Sequence, residues 1–301
     1  MIRALLFLCL TALFFPLAAQ TSPPPPYSND LPAGMSDVIF GKGGSHDLHA
    51  LIESPKNAAH PVPAIIWIHG GGWHTGTYRV GMVGKIAQRG YFAASIEYRL
   101  DDEAKWPAQI EDCKCAVRWL RANAATYNID PNRIGVWGGS AGGHLAACLG
   151  TMADVKEFEG DGGWPGVSSA VQAVVDCYGP TDFTHRGTYS MQAILITQGL
   201  FGVPYDQNPA LWKSGSPLDF VAAGDAPVLM IHGDADRLVP LAQSQVFAAA
   251  LTKAGVPNQL LVVHNGGHGF GALPGTKIDP GWPVIGQTVA DFFAKYLAAA
   301  H

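Results

Sequence analysis

Residues 138–142 have the sequence GGSAG, which follows an apolar run and precedes a helical pattern. This spacing matches G-x-S-x-G, in which a strand turns sharply into a helix and lifts the serine hydroxyl above the sheet. The small flanking residues are needed because a β-carbon would collide with its neighbours in so tight a turn. The pattern predicts that Ser140 is a nucleophile.

A serine hydroxyl is a weak nucleophile at neutral pH and needs a base held against it. In chain order, an acid and then a histidine should follow such a serine, each in a loop after a late strand. The loop at residues 266–270 contains His268. We prefer His268 to His264, because His264 closes the preceding strand whereas glycines on both sides of His268 let the loop bring its ring to the serine.

The acid is expected in the loop at residues 232–240, which follows an apolar strand and contains Asp234 and Asp236. Position alone does not separate these two aspartates. Asp234 lies close behind the strand, where a carboxylate can also cap a turn. Both aspartates therefore remain candidates on the spacing alone.

Residues 69–73 have the sequence HGGGW, and their glycines allow the backbone to approach a ligand closely. Attack of a serine on a carbonyl produces an oxyanion that backbone N–H groups must stabilise. We assign this role to Gly71 and Gly72, together with Ala141 at the start of the helix after the serine. A phosphate site is disfavoured, because no G-K-[ST] follows the glycines. His69 is expected to brace the loop.

No cofactor or metal ion is predicted. The pair His69 and His74 and the pair His264 and His268 both lack a carboxylate or cysteine at an established ligand spacing. Six aromatic residues are candidates for lining a substrate pocket, and about two of them are expected to touch the substrate. They are Trp73, Trp106, Phe183, Tyr189, Phe201 and Trp212, of which Trp73 and Phe183 are the predicted contacts.

Apolar runs alternate with helical patterns along most of the chain, which predicts a parallel sheet covered by helices on both faces. Strands are predicted at residues 63–68, 91–96, 133–137, 171–178, 228–232 and 260–264, and helices at 110–125, 145–149, 241–254 and 284–300. Residues 182–219 are too long for an ordinary connection. They are predicted to form an irregular insertion over one end of the sheet.

Composition favours a single large domain with an ample core, since 48% of the 301 residues are hydrophobic and 14% are charged. The formal net charge of −5 and the absence of a basic run argue against nucleic acid as a partner.

A charged start followed by an apolar stretch at residues 4–17 predicts a secretory signal peptide over residues 1–19. A Pro-rich spacer is expected at residues 20–36, before the catalytic domain at 37–301. The protein is therefore predicted to be secreted or periplasmic, without a stable membrane anchor.

Four cysteines follow the predicted signal peptide: Cys113, Cys115, Cys148 and Cys177. Cys113 and Cys115 are two apart on a predicted helix and point in different directions, so they should not pair with each other. Pairing of one of them with Cys148 stays open, because spacing does not decide it.

The serine, the histidine at 268 and the HGGGW segment together resemble the α/β-hydrolase superfamily, in the esterase/lipase branch related to hormone-sensitive lipase. A wider set of segments looks more like secreted bacterial carbohydrate esterases of the feruloyl and acetylxylan type. These segments are residues 65–73 (IIWIHGGGW), 98–100 (YRL), 106–109 (WPAQ) and 118–123 (RWLRAN).

The resemblance covers about residue 37 to the C-terminus and implies the α/β-hydrolase fold, with an eight-stranded, mostly parallel sheet. It also favours Asp236 over Asp234, because the acid of these families is the last residue of H-G-x-x-D. One departure is Gly139, where relatives of hormone-sensitive lipase usually carry an acidic residue.

The combined prediction is a serine ester hydrolase that works through an acyl-enzyme. The expected substrates are small-molecule or polysaccharide-linked esters, with small acyl or feruloyl groups on plant carbohydrate. A general short-chain carboxylesterase is the main alternative, and a serine peptidase or a non-catalytic binding module is less favoured. The sequence does not define the oligomeric state.

Overall fold

The structure is a computed structural model that describes residues 31–299, apart from positions 57, 80 and 186–188. The predicted signal peptide and most of the predicted spacer lie outside these residues. No helix in the described part of the chain combines the length and the apolar character needed to cross a bilayer.

An eight-stranded sheet forms the centre of the fold, in the order β1-β2-β4-β3-β5-β6-β7-β8. Strand β2 runs antiparallel to both of its neighbours, and the remaining neighbours are parallel. The strands are β1 (Met35–Gly43), β2 (His46–Glu53), β3 (Val62–Ile68), β4 (Phe92–Ile96), β5 (Ile129–Gly139), β6 (Ala173–Cys177), β7 (Val228–Gly233) and β8 (Asn258–Val263).

Helices cover both faces of the sheet, so that the sheet separates two hydrophobic clusters. The α-helices of the described residues are α1 (Val83–Ala87), α2 (Ala108–Ala122), α3 (Ala124–Tyr127), α4 (Ala141–Thr151), α5 (Met191–Phe201), α6 (Pro209–Ser214), α7 (Ala242–Lys253) and α8 (Trp282–Tyr296). Buried residues of α2, α4 and α7 belong to one cluster, and those of α1 and α8 belong to the other.

Side chains of the central strands alternate between the two clusters. In β3, Ile66 and Ile68 belong to the α2 and α4 side, whereas Ile65 belongs to the α1 and α8 side. Successive side chains of a strand point to opposite faces, so a strand buried on both sides must be apolar throughout. This requirement explains why the central strands appear in the sequence as unbroken apolar runs.

The predicted fold class is confirmed, and each of the six predicted strands overlaps one of strands β3 to β8. Strands β1 and β2 were implied only by the family resemblance. Both contain polar and half-exposed residues, because they form the antiparallel edge of the sheet. Without a continuous apolar run, they lack the signal that marks a buried parallel strand.

The region at residues 182–219 contains more regular structure than predicted. It holds α5 and α6, together with short 3₁₀ segments at Tyr205–Gln207 and Pro217–Phe220. Helix α5 begins where the Ser190 side chain accepts a hydrogen bond from the N–H of Ala193 at 3.1 Å. It ends at Gly202, whose φ of 73° is the left-handed conformation typical of helix C-termini.

All four cysteines of the described residues are free and buried. As predicted, Cys113 and Cys115 form no disulfide with each other. The disulfide to Cys148 that the sequence left undecided is also absent among the described residues. Burial raises the pKa of the Cys113 and Cys148 thiols well above its ordinary value. These thiols therefore act as small apolar side chains of the core.

Gly142 lies where α4 passes directly over the end of β3. A β-carbon at this position would lie 2.1 Å from the carbonyl oxygen of Ile68 and 2.7 Å from that of His69. We expect Gly142→Ala to lower the free energy of unfolding by about 3 kcal/mol, because backbone must move to make room. Urea denaturation measures this loss.

Gly286 provides the matched control, because it lies inside α8 and a β-carbon there would meet no atom within 4 Å. Gly286→Ala should raise the free energy of unfolding by about 0.5–1 kcal/mol through helix propensity. Equal effects of the two substitutions would contradict the close packing of α4 on β3.

Candidate active site

Ser140 occupies the sharp turn between β5 and α4. Its backbone has a φ of 57° and a ψ of −120°, an unfavourable conformation for a residue with a β-carbon. The N–H of Ser140 donates to the carbonyl of Cys177 on β6 at 2.9 Å, and the N–H of His144 donates to the Ser140 carbonyl at 2.9 Å. These two hydrogen bonds hold the strained turn.

The structure brings the three predicted side chains of Ser140, His268 and Asp236 together. His268 Nε2 lies 2.8 Å from Ser140 Oγ, and His268 Nδ1 lies 2.7 Å from Asp236 Oδ2. In the neutral imidazole this geometry lets Nδ1–H donate to the carboxylate while Nε2 accepts from the serine hydroxyl. The arrangement can therefore remove a proton from Ser140.

His264 and Asp234, the alternatives to His268 and Asp236, form a hydrogen bond with each other. His264 Nδ1 lies 2.8 Å from Asp234 Oδ2, and both side chains are exposed. Neither residue lines the cavity that contains Ser140. The geometry thus agrees with the choice of His268 and Asp236 over these alternatives.

Asp236 is held in its ionised form. Its Oδ1 accepts hydrogen bonds from the N–H groups of Leu238 and Val239 at 2.9 Å each, so the loop wraps around the carboxylate. Burial alone would raise the pKa of Asp236, but His232, His268 and the Val239 N–H outweigh it and hold the pKa below its ordinary value. An ionised carboxylate here orients His268 and stabilises its protonated form.

His232 supports the acid loop and was missed by the sequence analysis. Its buried imidazole lies with Nε2 2.9 Å from the carbonyl oxygen of Val239 and with Nδ1 2.7 Å from Ser244 Oγ. Nε2 also faces Asp236 Oδ2 at 3.6 Å. The only available signal was its place as the first residue of the H-G-x-x-D segment.

The predicted oxyanion residues lie beside the serine. Gly71 and Gly72 have φ values of 115° and 63°, and both line the same cavity as Ser140. Ala141 begins α4 directly after the serine. Within the described residues, the N–H groups of these three residues donate no hydrogen bond to a protein acceptor. All three remain available for an oxygen of a ligand.

His69 braces the glycine loop, as predicted. Its ring stacks on Tyr98 with centroids 4.3 Å apart, and its Nδ1 lies 2.8 Å from the carbonyl oxygen of Gly70. The Tyr98 hydroxyl donates to the His69 carbonyl at 3.0 Å. Burial lowers the pKa of His69 and so favours the neutral ring. This histidine therefore positions the backbone rather than the substrate.

A cavity of about 820 Å³ opens over Ser140, which is within the size range of small-molecule sites. Residues of the glycine loop form one wall and residues of α5 form another. Trp73 and Tyr189 are the members of the predicted aromatic set that line this cavity.

Phe183, a predicted substrate contact, does not line the cavity. Its ring is 1% exposed and packs against Trp73, His144 and Phe201, with centroids 5.9, 5.1 and 5.5 Å apart. The prediction for Phe183 is corrected, because this ring belongs to the core beneath the cavity wall.

The structure leaves little room for a side chain at Gly139, where relatives of hormone-sensitive lipase usually carry an acidic residue. A β-carbon at this position would lie 2.8 Å from the hydroxyl of Tyr178. The Tyr178 ring in turn packs against His268, with centroids 4.9 Å apart. Tyr178 occupies the space beside Gly139 and helps to hold the catalytic histidine candidate in place.

No group of three or more His, Cys, Asp or Glu side chains that could hold a metal ion occurs in the part of the chain that the structure describes. The two histidine pairs considered from the sequence each bind other partners. His74 Nδ1 lies 2.5 Å from Asp101 Oδ1, and His69 contacts the Gly70 carbonyl.

The doubly covered sheet and the strained serine with its histidine and aspartate define an α/β-hydrolase of the esterase/lipase type. Residues 51–251 match the BD-FAE family model, and the chain belongs to this family. Esterase LipQ of Mycobacterium tuberculosis is 34% identical over 228 residues, covering 74% of this chain and 54% of LipQ. The chain spans about half the length of the curated relatives it matches.

Two solved structures illustrate the likeness. A truncated carbohydrate esterase from gut microbiota is similar with a TM-score of 0.75 and 32% identity, covering 88% of this chain and 97% of that chain. Esterase Est2 of the planctomycete Thermogutta terrifontis is similar with a TM-score of 0.72 and 28% identity, covering 88% of this chain and 93% of that chain. Both similarities extend over most of the described fold.

The low pKa of Asp236 predicts a pH dependence of stability. The folded state keeps this carboxylate ionised more readily than the unfolded state does. Its contribution to the free energy of unfolding is therefore present above the unfolded pKa of about 4 and is lost as pH falls below that value. The free energy of unfolding of Asp236→Asn should therefore fall less between pH 5 and pH 3 than that of the unaltered protein. Urea denaturation at the two pH values measures the difference.

Asp234→Asn is the matched control, because it changes the neighbouring surface pair and leaves Asp236 in place. This variant should retain the larger fall in stability. The same pH dependence in the unaltered protein and in Asp236→Asn would show that Asp236 is not preferentially ionised in the folded state.

Proposed function

We propose that this protein is a serine carboxylic ester hydrolase, with Ser140 as nucleophile, His268 as general base and Asp236 as the orienting acid. The observation that carries the proposal is the continuous chain of hydrogen bonds from Ser140 Oγ through His268 to Asp236, at 2.8 and 2.7 Å. The serine at one end of these hydrogen bonds lines a cavity that the glycine loop also lines. The membership of an esterase family supports the same activity.

In the first step, Ser140 Oγ attacks the ester carbonyl while its proton moves to His268 Nε2. The carbonyl oxygen becomes an oxyanion, which the N–H groups of Gly71, Gly72 and Ala141 stabilise. Collapse of this intermediate breaks the bond to the alcohol oxygen, and His268 returns the proton to the departing alcohol. The acyl group remains on Ser140 as an ester.

In the second step, water attacks the acyl-enzyme and gives its proton to His268. The same N–H groups hold the second oxyanion, whose collapse breaks the bond to Ser140 Oγ and releases the carboxylic acid. His268 returns its proton to Ser140 Oγ and so restores the hydroxyl. Asp236 stays ionised throughout and stabilises the imidazolium that forms in each step. The protein supplies every group that these two steps require.

The proposed substrates are carbohydrate esters with a short or aromatic acyl group. The gut-microbiota structure is that of a carbohydrate esterase, and Est2 has been solved with propionate and with butyrate bound. The cavity of about 820 Å³ is roomy enough for an acyl group beyond acetyl. An intact serine, histidine and aspartate set favours this activity over a non-catalytic binding module.

Export from the cytoplasm is part of the proposal. It rests on the charged start and the apolar stretch at residues 4–17, followed by small residues. Polysaccharide-linked esters lie outside the cell, so an enzyme acting on them has to reach that compartment.

We expect Ser140→Ala to lower kcat for p-nitrophenyl acetate by at least about 10³-fold, because no other group can form the acyl-enzyme. The loss of one hydroxyl should leave the thermal transition nearly unchanged. Ser45→Ala is the matched control, because Ser45 is an exposed turn residue outside the cavity. Retained turnover in Ser140→Ala would contradict the proposed nucleophile.

Export is tested by expressing the full chain in a bacterial host and measuring the intact mass of the product. The expected mass corresponds to a mature chain that begins at or next to Gln20, after cleavage near Ala19. Recovery of protein that still carries residues 1–19, in the cytoplasmic fraction alone, would contradict this part of the proposal.

A further inference from the structure

A hydrogen-bonded histidine–carboxylate pair outside the proposed triad lines the same cavity. His74 Nδ1 lies 2.5 Å from Asp101 Oδ1, and both residues belong to the cavity wall. Most of the surrounding wall is apolar and includes Leu195 and Ile196 of α5. The pair forms no hydrogen bond with Ser140, His268 or Asp236 and has no role in the acyl-transfer steps described above.

Asp101 is firmly held in the fold. The residue is 6% exposed, and its N–H donates to the carbonyl of Trp73 at 2.8 Å. A β-carbon on Gly199 of α5 would lie 2.5 Å from Asp101 Oδ2, so the helix passes close against the carboxylate. The carboxylate is therefore fixed between the glycine loop and α5, and it fixes the His74 ring.

His74 is exposed over 64% of its side chain. Asp101 occupies Nδ1, and no group in the described residues forms a hydrogen bond with Nε2. The second ring nitrogen is thus free to bind a ligand that occupies the cavity. The His74 side chain is largely exposed while that of the neighbouring Trp73 is 3% exposed, so His74 is the more solvent-accessible of these two cavity residues.

The charges around His74 favour a hydroxyl group over an anion. Hydrogen bonding and the charge of Asp101 raise the pKa of His74, Asp102 adds to this effect, and Lys105 opposes it. The two nearby carboxylates would repel an anionic ligand. A hydroxyl can accept from Nε2–H of the imidazolium and donate to Nε2 of the neutral ring, so it fits both protonation states.

We propose that His74, fixed by Asp101, is a specificity-determining residue that hydrogen-bonds a hydroxyl on the alcohol part of the ester and so selects sugar esters over simple alkyl esters. The inference rests on the proposed ester hydrolase function. For an acetyl ester the contact falls on the alcohol part, because an acetyl group has no hydroxyl, and the alcohol part of a polysaccharide ester extends to the outside of the cavity.

The test compares two acetate esters with six-membered rings in the alcohol part: a monoacetylated methyl xyloside and cyclohexyl acetate. Both produce the same acetyl-enzyme, so a difference in kcat/KM arises in binding and acylation. We expect His74→Leu to lower the ratio of kcat/KM for the xyloside to that for cyclohexyl acetate by about tenfold, the effect of one lost hydrogen bond. The ratio for His74→Gln should be at least about three times that for His74→Leu, because the glutamine amide can still form a hydrogen bond with a hydroxyl.

His49→Leu is the matched control. His49 Nδ1 also bonds a carboxylate, that of Asp37 at 2.8 Å, but His49 lies on β2 and does not line the cavity. This variant should keep the ratio of the unaltered protein. A parallel loss for both esters in His74→Leu, or an unchanged ratio, would overturn the assignment of His74. Failure of the unaltered protein to hydrolyse either ester would instead contradict the proposed function.

Discussion

The proposed function depends on the hydrogen bond between Ser140 Oγ and His268 Nε2. The two residues are 128 positions apart in the chain, and their 2.8 Å separation requires that two distant loops meet. Ser140 reaches this position only because its backbone adopts a φ of 57°, held by the hydrogen bond to β6. This strained backbone conformation makes the Ser140 hydroxyl accessible.

The parallel arrangement of β5, β7 and β8 makes this meeting possible. Parallel strands place their carboxyl ends at one edge of the sheet, and each of the three is followed by one member of the proposed triad. Two helix-bearing faces anchor the strands, while α5 and the glycine loop build the cavity above them. The proposed substrate site is therefore formed by the segments that connect the strands, and the sheet sets where these segments begin.

The sequence predicted the central strands, Ser140 and His268 from local signals, whereas only the family resemblance separated Asp236 from Asp234. Buried strands need continuous apolar runs, and the serine turn tolerates only small neighbours. Strands β1 and β2 lack such a signal, since both contain polar and half-exposed residues. The helix α5 was also missed, because its exposed apolar residues, Met191 and Leu195, do not show the pattern of a helix packed on a core.

Side-chain environments were harder to predict than elements. The burial of Phe183, the brace at His232 and the pairing of His74 with Asp101 all depend on contacts between distant segments.

We propose that one serine, Ser140, is made reactive by its surroundings. Peptide mapping by mass spectrometry after brief exposure to a fluorophosphonate tests it directly. We expect a single phosphonyl adduct on the peptide that contains Ser140. An adduct elsewhere, or none, would show that Ser140 is not the reactive serine.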